Sequence, residues 1–260
     1  MLVLCLANTL MAQAPQENGI AYFCSLCNSD CDKLEFDKPG VCTHCKMPLT
    51  KMSKAERNLQ LANKSLTLAF YLQDGVEVLD FAGPMEVFYY AGFKVFTVSK
   101  TTAPITSQGI LKIIPEYSIQ NAPLSDIIAF FGGNASKGFD EDVISWLKSR
   151  EMNTEYFFSV CTGAYALGKA GLLDNRTATT YHLNIDDIKK SFPKANIVAG
   201  ARYVDNGSVI TTAGISAGID GALHLVAKLR GEQAAIDVAR LMEYDKWVAK
   251  DGLILSEKPK

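Results

Sequence analysis

Five of the seven cysteines in this 260-residue chain fall between Cys24 and Cys45, while Cys161 stands alone in the larger remainder. Thiols spread over a whole chain suit a disulfide framework; a tight group beside a solitary thiol suits a local metal cluster and a separate cysteine chemistry elsewhere. Residues 22–50 read YFCSLCNSDCDKLEFDKPGVCTHCKMPLT, with Cys24-x2-Cys27, fourteen intervening residues, then Cys42-x2-Cys45. Each C-x2-C lets a tight turn point two thiolates at one ion, and two such turns supply the four soft ligands of a tetrahedral site. Asp37-Lys38-Pro39-Gly40 reads as the turn before the second pair. A segment this short has little core of its own, so a bound ion would supply much of its folding free energy. Zinc is the expected ion, with copper as the alternative because the Met47 thioether suits copper(I). Cys31 is then surplus and His44 exposed. The competing reading is a pair of disulfides in an oxidising compartment.

The Tyr-x-Cys start and the Pro-Gly-x-Cys-x-x-Cys-x-Met-x-Leu finish of this stretch resemble the short heavy-metal-binding domain found beside metal-efflux proteins. Cys27 and Cys31 depart from that pattern and favour an all-thiolate site. Ahead of it, MLVLCLANTLMA followed by AQAPQ reads as an export signal over residues 1–14, pointing to the periplasm, although no Lys or Arg precedes Lys33. The expected organisation is a signal peptide (1–14), a cysteine module (20–51), a polar linker with a short helix at most (52–64) and an α/β domain (65–256).

With 26 Lys+Arg against 28 Asp+Glu, the net charge of −2 excludes a charge-driven nucleic-acid binder. The 48% apolar and 21% charged composition is that of a packed globular protein rather than a disordered or multi-pass membrane chain. No membrane association beyond export is expected. Beyond residue 65 strand-like runs alternate with helical periodicity. Strands are expected at 66–72, 93–99, 127–131, 156–160 and 177–180, and helices at 76–91 with a Gly-Pro break, 140–150, 164–173 and 184–191. A hairpin of 197–204 and 208–212 should turn at Asp205-Asn206-Gly207, followed by a helical stretch from a Ser216 cap to about residue 248, broken near Gly231. This alternation predicts a mostly parallel sheet covered on both faces, with ligands at the carboxyl ends of strands.

Residues 157–164, FFSVCTGA, run from a hydrophobic strand to a nucleophilic residue and then to small residues opening a helix, the layout of a nucleophile elbow with Cys161 in the nucleophile's place. The helix N-terminus should stabilise a thiolate and lower its pKa. The alternative is that Cys161 is a small buried hydrophobe. Gly132-Gly133 after a strand favours the elbow, because backbone N–H groups there can meet a developing oxyanion.

Four ordered stretches, LAFYLQDGVEVLDFAGPMEVF, FFGGNAS, SVCTGAYALGKAGLLDNRTATTYH and TTAGISAGIDGALHLVAKLRG, resemble the ThiJ/PfpI family of the class I glutamine amidotransferase-like superfamily. The resemblance is strongest to its branch of isonitrile hydratases and AraC-type regulator sensing domains. It implies a flavodoxin-like sandwich, a homodimer and a small-molecule substrate or ligand, with no organic cofactor. It assigns Cys161 as nucleophile, Asp80 as the acid facing it, Thr162 as the hydroxyl beside it and His182 as a nearby histidine. A hydratase or hydrolase of isonitrile-hydratase type is therefore expected, with thiolate attack and a protonated Asp80 as proton donor; the alternative is a non-catalytic ligand, redox or metal-stress sensing protein. Gly132, Gly133, Gly214 and Ser216 become substrate or oxyanion positions. Thr162 stands where the protease-like branch places a His, so peptidase activity is not expected. Asp220 should gain the stabilisation that a helix N-terminus gives a carboxylate, and His224, on the apolar side of the last helix, reads as a satisfied core histidine.

Overall fold

The alternation after Gly19 builds a small antiparallel sheet from β1 (Ile20–Cys24), β2 (Glu35–Phe36) and β3 (Leu49–Ser53), in the order β2-β1-β3. It belongs to a computed structural model that describes residues 19–25, 30–62, 65–134, 139–245, 247–249 and 251–255. Residues 1–14, where the export signal is expected, and Cys27 lie outside the described residues.

Helix α1 (Lys54–Ala62) follows β3 directly and groups with the small unit, which ends at Asn63. Its start is a reciprocal capping box: the Ser53 hydroxyl accepts from Glu56 N (3.1 Å) and the Glu56 carboxylate accepts from Ser53 N (2.8 Å). Arg57 is buried within this unit and reaches the Asp32 carbonyl, so the stretch expected as a linker is structured here.

The large unit contains an eight-stranded sheet. Its strands are β4 (Thr67–Tyr71), β5 (Lys94–Ser99), β8 (Tyr117–Ser118), β9 (Ile127–Phe130), β10 (Tyr156–Val160), β13 (Tyr203–Asp205), β14 (Val209–Thr212) and β15 (Leu253–Ile254), in the order β15-β13-β14-β10-β9-β4-β5-β8. Two short ladders lie apart from it, β6 (Ile105–Ser107) with β7 (Leu111–Ile113) and β11 (Thr177–Ala178) with β12 (Asn196–Ile197). Every pairing in the large sheet is parallel except β13 with β14. The side-chain period of two sorts the core into layers. Leu68, Phe70 and Leu72 face one layer, packed with α2 (Val78–Tyr90), α6 (Ala217–Arg230) and α7 (Glu232–Leu241). Ala69 and Tyr71 face the other, with α3 (Glu141–Arg150), α4 (Ala164–Ala170) and α5 (Ile185–Ser191). No helix among the described residues is long and apolar enough to cross a membrane.

Three expectations need correction. Helix α2 runs unbroken through Pro84. A side chain on Gly83 would come within 2.7 Å of Ile219, and one on Gly218 within 3.2 Å of Pro84, so small residues let α2 and α6 close on each other and packing carries the helix past the proline. Residues 197–204 do not form one strand: Ile197 pairs with Ala178, and only residues 203–205 pair with β14. The last helical stretch ends at Leu241, not near residue 248, and Ser216 makes no side-chain cap bond.

Candidate functional site

Strand β10 lies between two parallel neighbours, β9 and β14, so its carboxyl end opens where theirs do. Cys161 is the next residue, with φ 59°, a left-handed conformation that a side chain bearing a Cβ rarely adopts and that costs on the order of 1–3 kcal/mol. The surroundings hold it there. Cys161 N donates to the Ala213 carbonyl (2.9 Å), and its own carbonyl accepts from the Thr180 hydroxyl (2.7 Å) and from Ala164 N. A side chain on Gly163 would lie 2.3 Å from the Phe130 carbonyl, so only glycine lets the turn sit against the end of β9. Thr180→Val removes one bond to that carbonyl and should lower unfolding free energy by about 1 kcal/mol in urea titration; an unchanged midpoint would show that Thr180 does not hold the turn.

Asp80, the third residue of α2, is fully buried. One carboxylate oxygen accepts from Gly132 N (2.8 Å) and the other from Ile215 N (3.0 Å), and the carboxyl also hydrogen-bonds Cys161. Burial outweighs the two amide donors and pushes the carboxyl up to about 6. Burial, with the Asp80 charge adding to it and the Thr162 amide opposing it, pushes the thiol up to about 12. The low thiol pKa expected from the helix N-terminus is therefore overturned. Desolvation and a neighbouring carboxylate exceed the pull of a seven-residue helix. Between these two values the pair's proton sits on sulfur, so Asp80 is the acceptor rather than the protonated donor expected from the sequence.

The other expected residues divide. Thr162 follows the thiol, and its amide and its buried hydroxyl both act on the sulfur, opposing the rise in the thiol pKa. Gly132 is placed by its amide on Asp80, so that N–H is committed to the acid rather than offered to a substrate oxygen. Gly133 has φ 110° and bridges Val76 through bonds made by its neighbours: Glu77 N to the Gly132 carbonyl (3.1 Å) and Asn134 N to the Gly75 carbonyl (3.0 Å). No hydrogen bond engages the Gly133 amide itself among the described residues.

His182 is exposed, rests edge-on against Tyr181 at 4.4 Å and makes no hydrogen bond to the pair. A side chain on Gly214 would lie 2.3 Å from the Tyr181 ring, which makes it a packing glycine. Ser216 is exposed and its hydroxyl accepts from Arg202 (3.3 Å), which also pairs with Asp220. His224 bonds Asp205 (2.7 Å) and stacks on Tyr203, as a core histidine. Sequence reasoning missed Ile215, whose φ of 57° aims its amide at Asp80, and Gln73, whose side-chain nitrogen donates to the carbonyls of Phe131 (2.9 Å) and Gly132 (3.1 Å).

In the small unit, the sulfurs of Cys24, Cys31, Cys42 and Cys45 all lie within 4.8 Å of one another, and every described cysteine is a free thiol. Cys24 closes β1, while Cys42 and Cys45 flank a turn in which Lys46 N donates to the Cys42 carbonyl (3.0 Å) with φ 61°. Cys31, expected to be surplus, is inside the cluster; Cys27, expected as a ligand, is outside the described residues. Ligand sulfurs around a tetrahedral zinc stand about 3.8 Å apart, given Zn–S bonds of about 2.3 Å. The Cys24–Cys31 separation is 4.0 Å and the Cys24–Cys45 separation 2.9 Å, so an ion fits once the latter pair opens by about an ångström. His44 is exposed and not among the four.

A mostly parallel sheet with a left-handed cysteine at the end of a central strand, faced by a buried acid, defines a class of α/β proteins built around one thiol. The chain belongs to the DJ-1/PfpI family, whose model matches residues 67–228. It is 34% identical over 183 residues to the isonitrile hydratase of Pseudomonas putida, covering 69% of this chain and 79% of that one. It is 25% identical to the HTH-type transcriptional regulator CdhR of Pseudomonas aeruginosa, covering 65% of this chain and 52% of the regulator; this chain thus spans about half of that relative's length. Among solved structures, a ThiJ/PfpI family protein from Pseudomonas syringae superposes with a TM-score of 0.65 at 31% identity, covering 70% of this chain and 76% of that one. DJ-1beta of Drosophila melanogaster shares the fold with a TM-score of 0.61, covering 69% and 98% of the two chains.

Proposed function

We propose that the large unit hydrates a small isonitrile or a related C≡N-type electrophile through Cys161 and Asp80. The observation that carries this reading is a buried thiol hydrogen-bonded to a buried carboxylate. The 34% identical relative named as an isonitrile hydratase supports it. In the resting pair Asp80 accepts the S–H proton as sulfur bonds to the terminal isonitrile carbon, then delivers that proton to the same carbon, giving an enzyme-bound thioformimidate. Water, oriented by the Thr162 hydroxyl beside the sulfur, adds to this carbon, giving one of its protons to Asp80 and the other to the nitrogen. Cleavage of the C–S bond returns the proton to sulfur and releases an N-substituted formamide. One isonitrile and one water give one formamide, with no redox change. The Gly133 amide is proposed to face the substrate; His182 is given no part in the step.

Because Asp80 must begin ionised, kcat/KM should rise with pH through about 6 and stay level to pH 9, the thiol itself titrating well above that range. A profile that falls across pH 6 would reverse the assigned proton positions. The second reading, a ligand-sensing domain without turnover, is favoured by the regulator relatives. Formamide release from aliphatic and aromatic isonitriles, followed by mass spectrometry, separates the two: saturable binding with no product supports sensing. We further propose that the small unit holds zinc, that the protein is a homodimer and that residues 1–14 direct export. Recovery of residues 1–12 intact in cytosolic protein would reject export.

A further inference from the structure

We infer that the metal-ligand set of the small unit is Cys24, Cys31, Cys42 and Cys45, with Cys31 taking the place that the C-x2-C spacing gives to Cys27. This inference rests on the proposal that the small unit binds a metal. Its four sulfurs already share one cluster, and the Cys31, Cys24 and Cys42 side chains are completely buried. A second observation concerns how Cys31 is delivered. It lies in a 3-10 turn, Asp30–Lys33, whose next carbonyl, that of Asp32, accepts two bonds from the Arg57 guanidinium, at 3.2 Å from Nε and 2.6 Å from Nη2. Arg57 is only 2% exposed, lies 5.5 Å from the Phe23 ring centroid and also donates to Gln60 (3.3 Å).

Arg57 and Asp32 are both buried, so the guanidinium charge is removed from water together with one acidic residue. Four thiolates around a divalent ion leave two net negative charges, and a fixed cation one residue from a ligand offsets part of them. Arg57 is therefore a positioning residue: it holds the turn that presents Cys31 and balances the charge of the loaded site. The ion class that follows is divalent, thiophilic and tetrahedral, zinc before copper(I), because four sulfurs converge rather than two or three.

The test uses the full chain, purified reduced and loaded with zinc, and compares it with Cys27→Ser, Cys31→Ser, Cys31→His and Arg57→Gln. Zinc content is measured by elemental analysis, and cobalt(II) replacement reports thiolate number through the sulfur-to-cobalt absorption. The inference expects one zinc in wild type and in Cys27→Ser, with the same four-thiolate cobalt spectrum. Cys31→Ser should lose at least tenfold in zinc affinity, and Cys31→His should regain an ion with a three-thiolate spectrum, which separates lost ligation from failed folding. Arg57→Gln should keep the four-thiolate spectrum yet release zinc to a chelator roughly tenfold faster. Loss of zinc or of the four-thiolate spectrum in Cys27→Ser overturns the ligand assignment, as does an unchanged Cys31→Ser. A wild-type chain that binds no ion overturns the metal reading itself.

Discussion

Replacing Cys161 with alanine should reduce the proposed isonitrile turnover by about 10⁴-fold or more, because it removes the sulfur that Asp80 contacts. Asp80→Asn should lower turnover by about 10²-fold to 10⁴-fold, since asparagine can neither accept the thiol proton nor return it to carbon. The two variants diverge in a second measurement. Alkylation of Cys161 by iodoacetamide, followed by peptide mass spectrometry against pH, should be slow at neutral pH in wild type, where burial and Asp80 push the thiol up to about 12. Asp80→Asn removes the negative charge that favours the protonated thiol, so its alkylation midpoint should move down while turnover is lost. A midpoint that stays or rises would show that Asp80 does not carry its charge beside the thiol.

The second large effect is expected at a residue with no side chain. A Cβ on Gly132 would lie 2.7 Å from an Asp80 carboxylate oxygen and from the Cys161 Cβ, and 2.8 Å from the sulfur. Gly132 is not among the positive-φ glycines, so alanine meets no left-handed strain there, and the three atoms nearest its Cβ all belong to Asp80 and Cys161. Gly132→Ala should therefore part Asp80 from Cys161 and cut kcat/KM by about 10²-fold or more with the sheet intact. Turnover within a factor of two of wild type, in a protein of unchanged circular dichroism, would show that the contact between thiol and acid is not needed.

The strands were legible where apolar runs are buried on both faces, as in residues 127–130 and 156–160, because the parallel sheet leaves no polar alternation to confuse them. Cys161 was legible because strand, nucleophile and small residues lie next to one another in sequence. Its proton was not. A helix dipole acts locally, whereas the burial and the Asp80 charge that raise the thiol pKa come from residues far along the chain. Ile215 and Gln73 escaped notice because they act through a main-chain amide and a side-chain clamp on carbonyls, for which an isoleucine or a glutamine gives no local sign. Helix α1, by contrast, carried a readable start, Ser53-Lys54-Ala55-Glu56, and the polar character of the stretch masked it. Two C-x2-C pairs already count to four and leave Cys31 surplus in the sequence; the turn at Asp30–Lys33 brings it into the cluster.

The atoms that set the state of Cys161 come from stretches widely spaced along the chain. Ile215 reaches Asp80 across 135 residues and Gly132 reaches it across 52. No fragment ending before β14 contains the full set, and the left-handed turn at Cys161 depends on Ala213, beyond the last residue of that strand. On a growing or partly folded chain the sulfur is an ordinary cysteine, open to whatever oxidant or alkylating agent is present. It becomes a shielded, high-pKa thiol only when the last central strand docks. The geometry that buries the sulfur beside Asp80 should also shield it from general reagents, so slow alkylation is expected to mark complete assembly.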